Sequence, residues 1–265
     1  MKLLEYVPKN HLVSQFIEVY QLYETCKPVL LKAIPNGRVE AWIVSSGRLF
    51  YQIGEESAFV EAKKYSFYPA TANVTTFYLD SPFKCLNVKF RLNLLGLDFF
   101  HHHASYLTEL SYPAFLAPKT LESIQQLLSC RNKLCIETLD RLMQKAFFNY
   151  SYDTKADIAL KIVHNASSSM TIAQISDRLG VSTKTLERMT MKYFALTPKK
   201  LYKIVRFNNA IKDITGSDNP KIADALAYGY FDQSHFVKDC RNITSMSPKE
   251  LLSKLILPVT DLHII

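Results

Sequence analysis

Two segments in the carboxy-terminal part of the chain are similar to each other at a fixed offset of 50 residues. The matching pairs are Ile172-Ala173 with Ile222-Ala223, Leu186 with Phe236, Arg188 with Lys238, Thr197-Pro198 with Ser247-Pro248, and Leu201 with Leu251. A fixed offset of this kind indicates a duplicated structural unit. Any fold proposed for this region therefore has to accommodate the same unit twice.

Each copy is predicted to form two helices separated by a short turn. In the first copy Thr171 and Ser182 are suited to N-cap the two helices, and Gly180 between them supplies the turn. This helix-turn-helix pattern is predicted over about residues 171–194, and its repeat over about residues 220–243.

A helix over residues 198–214 is predicted to join the two units, beginning at Pro198 in the position that proline favours.

Basic side chains are concentrated in the first unit and this helix. From Lys184 to Lys212 there are eight basic residues against the single acid Glu187, a formal charge of +7 over 29 residues. Such a density suits binding to a polyanion, although moderate basic excess also occurs on inert surfaces.

The second helix of each unit has one apolar and one polar side. At 100° per residue, Leu186, Met189 and Tyr193 share the inward side of the first such helix, and Phe236, Cys240 and Ile243 that of the second. The outward side carries Lys184, Glu187, Arg188 and Met191 in the first copy. In the second copy it carries Ser234, Val237, Lys238 and Arg241, with Gln233 and His235 at its edges. One side is expected to pack while the other faces a partner.

The segment from about Thr171 to Leu252 resembles the AraC/XylS family of transcriptional regulators. The matching stretches are IAQISDRLGVSTKTLER, LTPKKLYKIVRFNNAI, and IADALAYGYFDQSHFVKD with SMSPKEL. The last group is the most specific, because GY-x-DQSHF is followed about ten residues later by a Ser-Pro pair. The resemblance covers about a third of the chain strongly and implies a DNA-binding domain of two helix-turn-helix units joined by a long helix.

The resemblance also implies which residues meet double-stranded DNA. Contacts to bases or phosphates are expected from Lys184, Glu187, Arg188, Gln233, Ser234, His235 and Lys238, with Lys192, Lys199, Lys200 and Arg241 available to phosphates. The residue types suit major-groove readout, since Gln pairs with adenine, Arg or Lys with guanine, and Glu with cytosine. Glu187 is equally suited to orienting Arg188. RNA polymerase is a further expected partner, and no cofactor is expected.

The chain departs from the family pattern at four positions. Ala195 and Ser245 stand where each copy usually has Gly, and Thr190 and Cys240 where it often has Phe. The first pair predicts strained left-handed residues at two helix ends, and the second pair predicts looser packing.

Short β-type runs dominate residues 29–90, separated by turn residues at close intervals. In KCLNVKF, Leu86, Val88 and Phe90 alternate with polar residues, as in a half-buried strand. PNGRVEAWIV and KCLNVKF are similar to the small β-rich sensory domains that precede this type of DNA-binding domain. The predicted fold is α+β with two domains: a cupin-like β-sandwich or barrel with flanking helices over residues 1–152, sensing a small-molecule effector or a partner, and an all-α DNA-binding domain over residues 155–257.

Residues 119–150 show a helical period in two runs of apolar residues spaced by three and four. The first run is Leu121, Ile124, Leu127 and Leu128, and the second is Ile136, Leu139, Leu142, Met143 and Phe147. Two amphipathic helices are predicted. They either cap the β-domain or form the seam of a homodimer.

Three clusters invite chemical interpretations that fail on geometry. Asp232, Ser234 and His235 supply the residue types of a hydrolytic triad, but neighbours on a helix do not face each other. The consecutive histidines 101–103 point in different directions on any regular element, so no metal site is predicted. Five cysteines without CxxC spacing indicate free thiols rather than a disulfide framework or a zinc site.

No run approaches 18 apolar residues and the first residues lack a secretory pattern, so a cytoplasmic protein without a membrane partner is expected. The leading interpretation is a DNA-binding transcription regulator rather than an enzyme. Two alternatives stay open: an interaction or anti-activator protein without DNA binding, and an amino-terminal enzyme domain fused to a DNA-targeting module.

Overall fold

An antiparallel sheet forms the amino-terminal unit. The computed structural model describes residues 1–54, 57–68, 72–91, 94, 97, 116–129, 134–148, 150–153, 156, 170–216, 221–254 and 263–264. The strands of this unit are β1 (Lys2–Tyr6), β2 (Ile17–Thr25), β3 (Val29–Ala33), β4 (Val39–Ile53), β5 (Val60–Glu61), β6 (Tyr65–Tyr68) and β7 (Thr75–Phe90). The short strand β8 (His263–Ile264) belongs to the second compact unit and pairs there with Lys32 and Ala33. The longest strand, β7, pairs with β2, β3 and β4 and so holds the sheet together.

Aromatic side chains fill the core of this unit. Trp42 is fully buried and stacks between Tyr23 and Phe77, at ring-centroid distances of 5.3 and 4.9 Å. Tyr68 meets the rings of Trp42 and Phe77 edge-on. Offset and edge-to-face pairs of this kind stabilise a core beyond the free energy of burying their area.

Three helices accompany the sheet: α1 (His11–Phe16), α2 (Pro118–Ser129) and α3 (Ile136–Phe147). Asp140 of α3 accepts hydrogen bonds from the backbone N–H groups of Lys9 and Asn10 at 2.7 and 2.8 Å and from the Tyr20 hydroxyl at 2.9 Å. The burial of the Tyr20 hydroxyl and its contact with this carboxylate raise the pKa of Tyr20. A buried carboxylate with three donors fixes α3 to the start of the chain.

The apolar stripes of α2 and α3 are buried within the one chain. Their buried residues include Leu121, Ile124, Leu128, Leu139 and Met143. This burial favours the first of the two roles considered for residues 119–150, which is to cap the β-domain. A homodimer through this segment stays a prediction.

The carboxy-terminal unit is helical, with α4 (Ile172–Arg178), α5 (Thr183–Phe194), α6 (Pro198–Gly216), α7 (Gln233–Thr244) and α8 (Pro248–Lys254). The predicted α+β class is confirmed, with two helix-turn-helix units joined by the long helix α6. The structure differs from the prediction in the first helix of the second helix-turn-helix unit. This helix, Ile222–Tyr228, is a 3₁₀ helix rather than an α-helix.

The duplication is visible in the helix caps. Ser182 accepts a hydrogen bond from Thr185 N–H at the start of α5, and Asp232 accepts one from His235 N–H at the start of α7. Each cap lies 50 residues from its counterpart, and α6 and α8 likewise begin 50 residues apart. In the core of the second copy, Phe236, Cys240 and Ile243 pack against Phe207 and other apolar residues of α6.

The two compact units of the chain are not made of consecutive residues only. The carboxy-terminal compact unit includes Lys32–Gly37 in addition to the carboxy-terminal residues. Within that unit Ile34 is buried in the core around Phe207, and Asn208 Nδ2 donates to the Pro35 carbonyl at 2.7 Å. The sequence pattern gave no indication of this grouping, because residues 29–37 read as part of the β-rich region.

Two helix ends carry non-glycine residues in the left-handed region. Ala195, after α5, has φ 52° and Ser245, after α7, has φ 60°; no other non-glycine residue in the described part of the chain has a positive φ. Because a Cβ in this region costs roughly 1–2 kcal/mol, the strain predicted at these positions is present.

We expect Ala195→Gly and Ser245→Gly each to raise the free energy of unfolding by about 0.5–1 kcal/mol in urea titrations. Glycine removes the Cβ clash, and the greater flexibility of the unfolded chain offsets part of the gain. The control is Ala173→Gly in α4, which should lower the free energy of unfolding. Destabilisation by all three substitutions would contradict the strain argument.

Candidate nucleic-acid interface

The start of α7 is organised by one carboxylate. Asp232 has an extended backbone and its side chain accepts from His235 N–H at 2.7 Å, so the helix begins at Gln233. Gln233 and Ser234 are consequently exposed on the first turn. This geometry confirms the capping role of Asp232 and places Ser234 and His235 on different sides of the helix, as the argument against a triad requires.

The outward side of α7 forms a shallow, open concavity of about 500 Å³. Its lining residues are Gln233, Ser234, Val237, Lys238, Arg241 and Asn242. No acidic side chain is among these described residues, and Lys238 and Arg241 are exposed cations. The surface combines amide and hydroxyl groups with positive charge, which is suited to nucleic acid.

The outward side of α5 is equally exposed. Lys184, Glu187 and Arg188 all point to solvent, while Leu186 and Tyr193 are buried behind them. Lys192 lies over the ring of Tyr193, 4.9 Å from its centroid. Lys199 and Lys200 are exposed in the first turn of α6.

The structure brings all but one of the predicted DNA-contacting residues onto exposed surfaces. The exception is His235, which is partly buried and turned toward the protein. Its Nδ1 accepts from Phe231 N–H at 3.5 Å, its Nε2 lies 3.4 Å from Arg206 Nη2, and its ring meets Tyr230 edge-on. A DNA contact through its exposed edge stays a prediction.

An ion cluster that sequence reasoning missed joins α6 to α7. Asp239 is buried, and its two carboxylate oxygens accept from Lys203 Nζ and Arg206 Nη2, each at 2.9 Å. The Arg206 guanidinium also lies 4.2 Å from the centroid of the Tyr230 ring and 3.4 Å from the Gly229 carbonyl oxygen. Charge-assisted hydrogen bonds and a cation–π contact thus hold α7 on the linking helix α6.

A sequence signal for this cluster exists. Asp239 falls between the inward-facing positions of Phe236 and Ile243, and a carboxylate on the buried side of a helix needs a cation. The pairing also reduces the positive charge that this segment presents to solvent. Two of the eight basic residues, Lys203 and Arg206, share the one negative charge of Asp239, so the three groups together add one positive charge rather than two.

Phe231 is the most exposed large apolar residue described, with 91% of its surface accessible. It immediately precedes the cap Asp232. Met191 of α5 and Leu226 of the 3₁₀ helix are exposed to 46% and 43%. The sequence pattern predicts no function for any of the three.

The remaining sequence hypotheses concern metal and thiol chemistry. Histidines 101–103 lie outside the described residues, and so does cysteine 130. Within the described part of the chain, Cys26 and Cys135 are exposed free thiols and Cys85 and Cys240 are buried. Burial raises the pKa of Cys240 to about 11, so this thiol stays neutral. No helix among the described residues has the length and apolar character needed to span a membrane.

We expect Asp239→Ala to lower the free energy of unfolding by about 3 kcal/mol, because it leaves Arg206 buried without its anion. The double variant Arg206→Leu/Asp239→Leu should lose less than the sum of its two single variants, since an apolar pair leaves no uncompensated charge. Urea titrations measure both effects. Asp177→Ala, which removes an exposed acid from α4, is the control and should change stability little. Additive losses in the double variant would show that the ions are not coupled.

Comparisons with known proteins agree with this architecture. Residues 175–254 match the family described as a helix-turn-helix domain. The HTH-type transcriptional activator RhaS from Pectobacterium carotovorum subsp. carotovorum is 23% identical over 140 residues, covering 51% of this chain and 50% of that protein. The chain thus spans about half the length of the curated relative it matches.

Solved structures of ToxT from Vibrio cholerae have a similar fold. The O395 structure aligns with a TM-score of 0.52 at 12% identity, covering 90% of this chain and 97% of that one. The unsaturated-fatty-acid-bound form aligns with a TM-score of 0.50 at 10% identity, covering 88% and 94%. The comparisons thus give residues 175–254 a helix-turn-helix domain and the chain a fold similar to that of ToxT.

Proposed function

We propose that this chain is a sequence-specific DNA-binding transcription regulator in which α5 and α7 enter successive major grooves on one face of the duplex. The proposal rests on the equivalence of the two helices. Each helix begins after an N-cap residue whose side chain accepts a backbone hydrogen bond, and each is followed by a residue in the left-handed region. Each also exposes polar side chains opposite its buried side. Successive major grooves on one face of B-DNA are about 34 Å apart.

The residues divide into two groups by the part of DNA that each meets. Base-edge contacts are proposed for Lys184, Glu187, Arg188, Gln233, Ser234, His235 and Lys238, and phosphate contacts for Lys192, Lys199, Lys200 and Arg241. Phosphate contacts set position and affinity, whereas base-edge contacts set specificity. RNA polymerase is the further partner that a regulator implies, and a homodimer through residues 119–150 is a further proposal.

Duplexes selected from a random library by the full chain should contain two half-sites about ten base pairs apart. On such a duplex, Arg188→Ala and Lys238→Ala should each weaken binding by roughly 1–3 kcal/mol and relax specificity at one position. Lys199→Ala should instead weaken binding to all sequences alike and reduce the salt dependence by about one phosphate contact. Fluorescence anisotropy over a range of salt concentrations measures all three.

Lys254→Ala is the matched control, since this exposed lysine pairs with Glu250 on α8 and carries no assigned DNA contact. Unchanged binding by both base-contact variants would refute the residue assignment. An absence of any salt-dependent binding to duplex DNA would refute the regulator itself and favour the interaction or anti-activator protein.

A response to a small-molecule effector in the amino-terminal unit is the second part of the proposal. ToxT has been solved with an unsaturated fatty acid, and that likeness supports a ligand here. The donors Trp42 Nε1 and Tyr68 Oη are buried and have no hydrogen-bond partner among the described residues. An unsatisfied buried polar group costs about 1–3 kcal/mol, and a ligand with complementary groups would recover it.

An unsaturated fatty acid is expected to raise the melting temperature of the full chain and to change its affinity for the selected duplex. The methyl ester of the same fatty acid, which lacks the anionic head group, should do neither. Tyr68→Phe removes only the hydroxyl and should weaken the response without destabilising the free protein. Equal effects of acid and ester would count against recognition by these polar groups.

A further inference from the structure

The two proposed recognition helices, α5 and α7, carry side chains of different chemistry at the same structural position. Glu187 on the outward side of α5 corresponds, at the 50-residue offset, to Val237 on α7. Glu187 is exposed beside Arg188, whereas Val237 is half-buried and lines the concavity between Ser234, Lys238 and Arg241. The second helix therefore presents a branched apolar group where the first presents a carboxylate.

A second apolar group stands at the entry of α7. Phe231 occupies the position that corresponds to Val181, which is half-buried, yet 91% of the surface of Phe231 is exposed. The ring packs on no core, and the local backbone is held by other means, since the Phe231 N–H donates to His235 and Asp232 caps the helix. The side chain is thus free to meet a partner next to Gln233 and Ser234.

The cationic surroundings indicate what that partner is. The same concavity holds Lys238 and Arg241 with no acid among its described lining residues, which suits the field of a duplex rather than an apolar protein surface. In the major groove the one apolar group on a base edge is the C5-methyl of thymine, and apolar side chains recognise it.

We propose that the second half-site is read through thymine methyl groups, which Val237 and Phe231 contact from α7. This inference rests on the proposed function and deepens it. Gln233 on the same turn is suited to the adenine of a neighbouring A·T pair. The first half-site is read differently, because Arg188 suits guanine and Glu187 suits cytosine. The two half-sites therefore differ in sequence, and the duplicated protein unit does not require a symmetric operator.

The experiment replaces thymine by uracil, which removes the methyl group and leaves every hydrogen-bonding group of the base. The probe is a duplex selected from a random library by the full chain, in versions with uracil at single positions of either half-site. Wild-type affinity should fall about fourfold for each contacted methyl in the second half-site, the effect of burying one methyl-sized apolar group. Uracil in the first half-site should change affinity little.

Val237→Ala and Phe231→Ala should each bind the thymine and uracil duplexes almost equally at one position, and Val237→Thr, which keeps a methyl group, should retain part of the discrimination. Each ratio is measured within one variant, so a general loss of folded protein cancels. Arg188→Ala serves as the control, since it should weaken binding while keeping the full response to uracil in the second half-site.

The outcomes separate this inference from the function on which it rests. Failure to select any duplex would overturn the proposed function. A selected second half-site without thymine, or an equal uracil effect in wild type, Val237→Ala and Phe231→Ala, would overturn the inference alone. If Phe231→Ala keeps both affinity and uracil response but loses transcription with RNA polymerase present, then Phe231 meets a protein and its thymine assignment is wrong.

Discussion

The carboxylate of Asp239 is the point on which the second recognition helix depends. Buried charge is tolerated in a protein only when it is paired, and Asp239 is paired twice, with Lys203 and Arg206 of the linking helix. Because Arg206 also contacts the Tyr230 ring and the Gly229 carbonyl, the turn before α7 is fixed by the same group. The direction in which Gln233 and Lys238 point is therefore set by an interaction on the opposite side of the helix.

This arrangement divides the basic residues into two populations. Lys203 and Arg206 serve the internal structure, while Lys184, Arg188, Lys238 and Arg241 remain exposed on the two recognition helices. The charge of +7 counted over residues 184–212 overstates the positive charge of the folded domain by one, since Asp239 lies outside that range and pairs with Lys203 and Arg206. Only cations that reach phosphates release the counterions condensed on DNA, and exposed cations are the ones that can do so.

Sequence patterns anticipated the framework better than the contacts within it. The 50-residue offset and the caps at Ser182 and Asp232 follow from local sequence, and the structure contains them. The left-handed residues Ala195 and Ser245 were expected from the family resemblance, in which glycine is usual there, and they are present too. The Arg206–Asp239 pair brings together residues 33 positions apart, and its geometry depends on how two helices pack. His235 likewise contacts Arg206, 29 positions away, so its partial burial depends on how α6 and α7 pack and not on the sequence of α7 alone.

The duplicated unit shows how one scaffold acquires two specificities. Positions that build the scaffold keep their character between copies, as Leu186 and Phe236 are both buried and Ser182 and Asp232 both cap. Positions on the outward side are not constrained by packing, and there Glu187 is matched by Val237. A carboxylate and a methyl-bearing side chain select different base edges, so divergence at a few exposed positions is sufficient to read two unlike half-sites while the fold is unchanged.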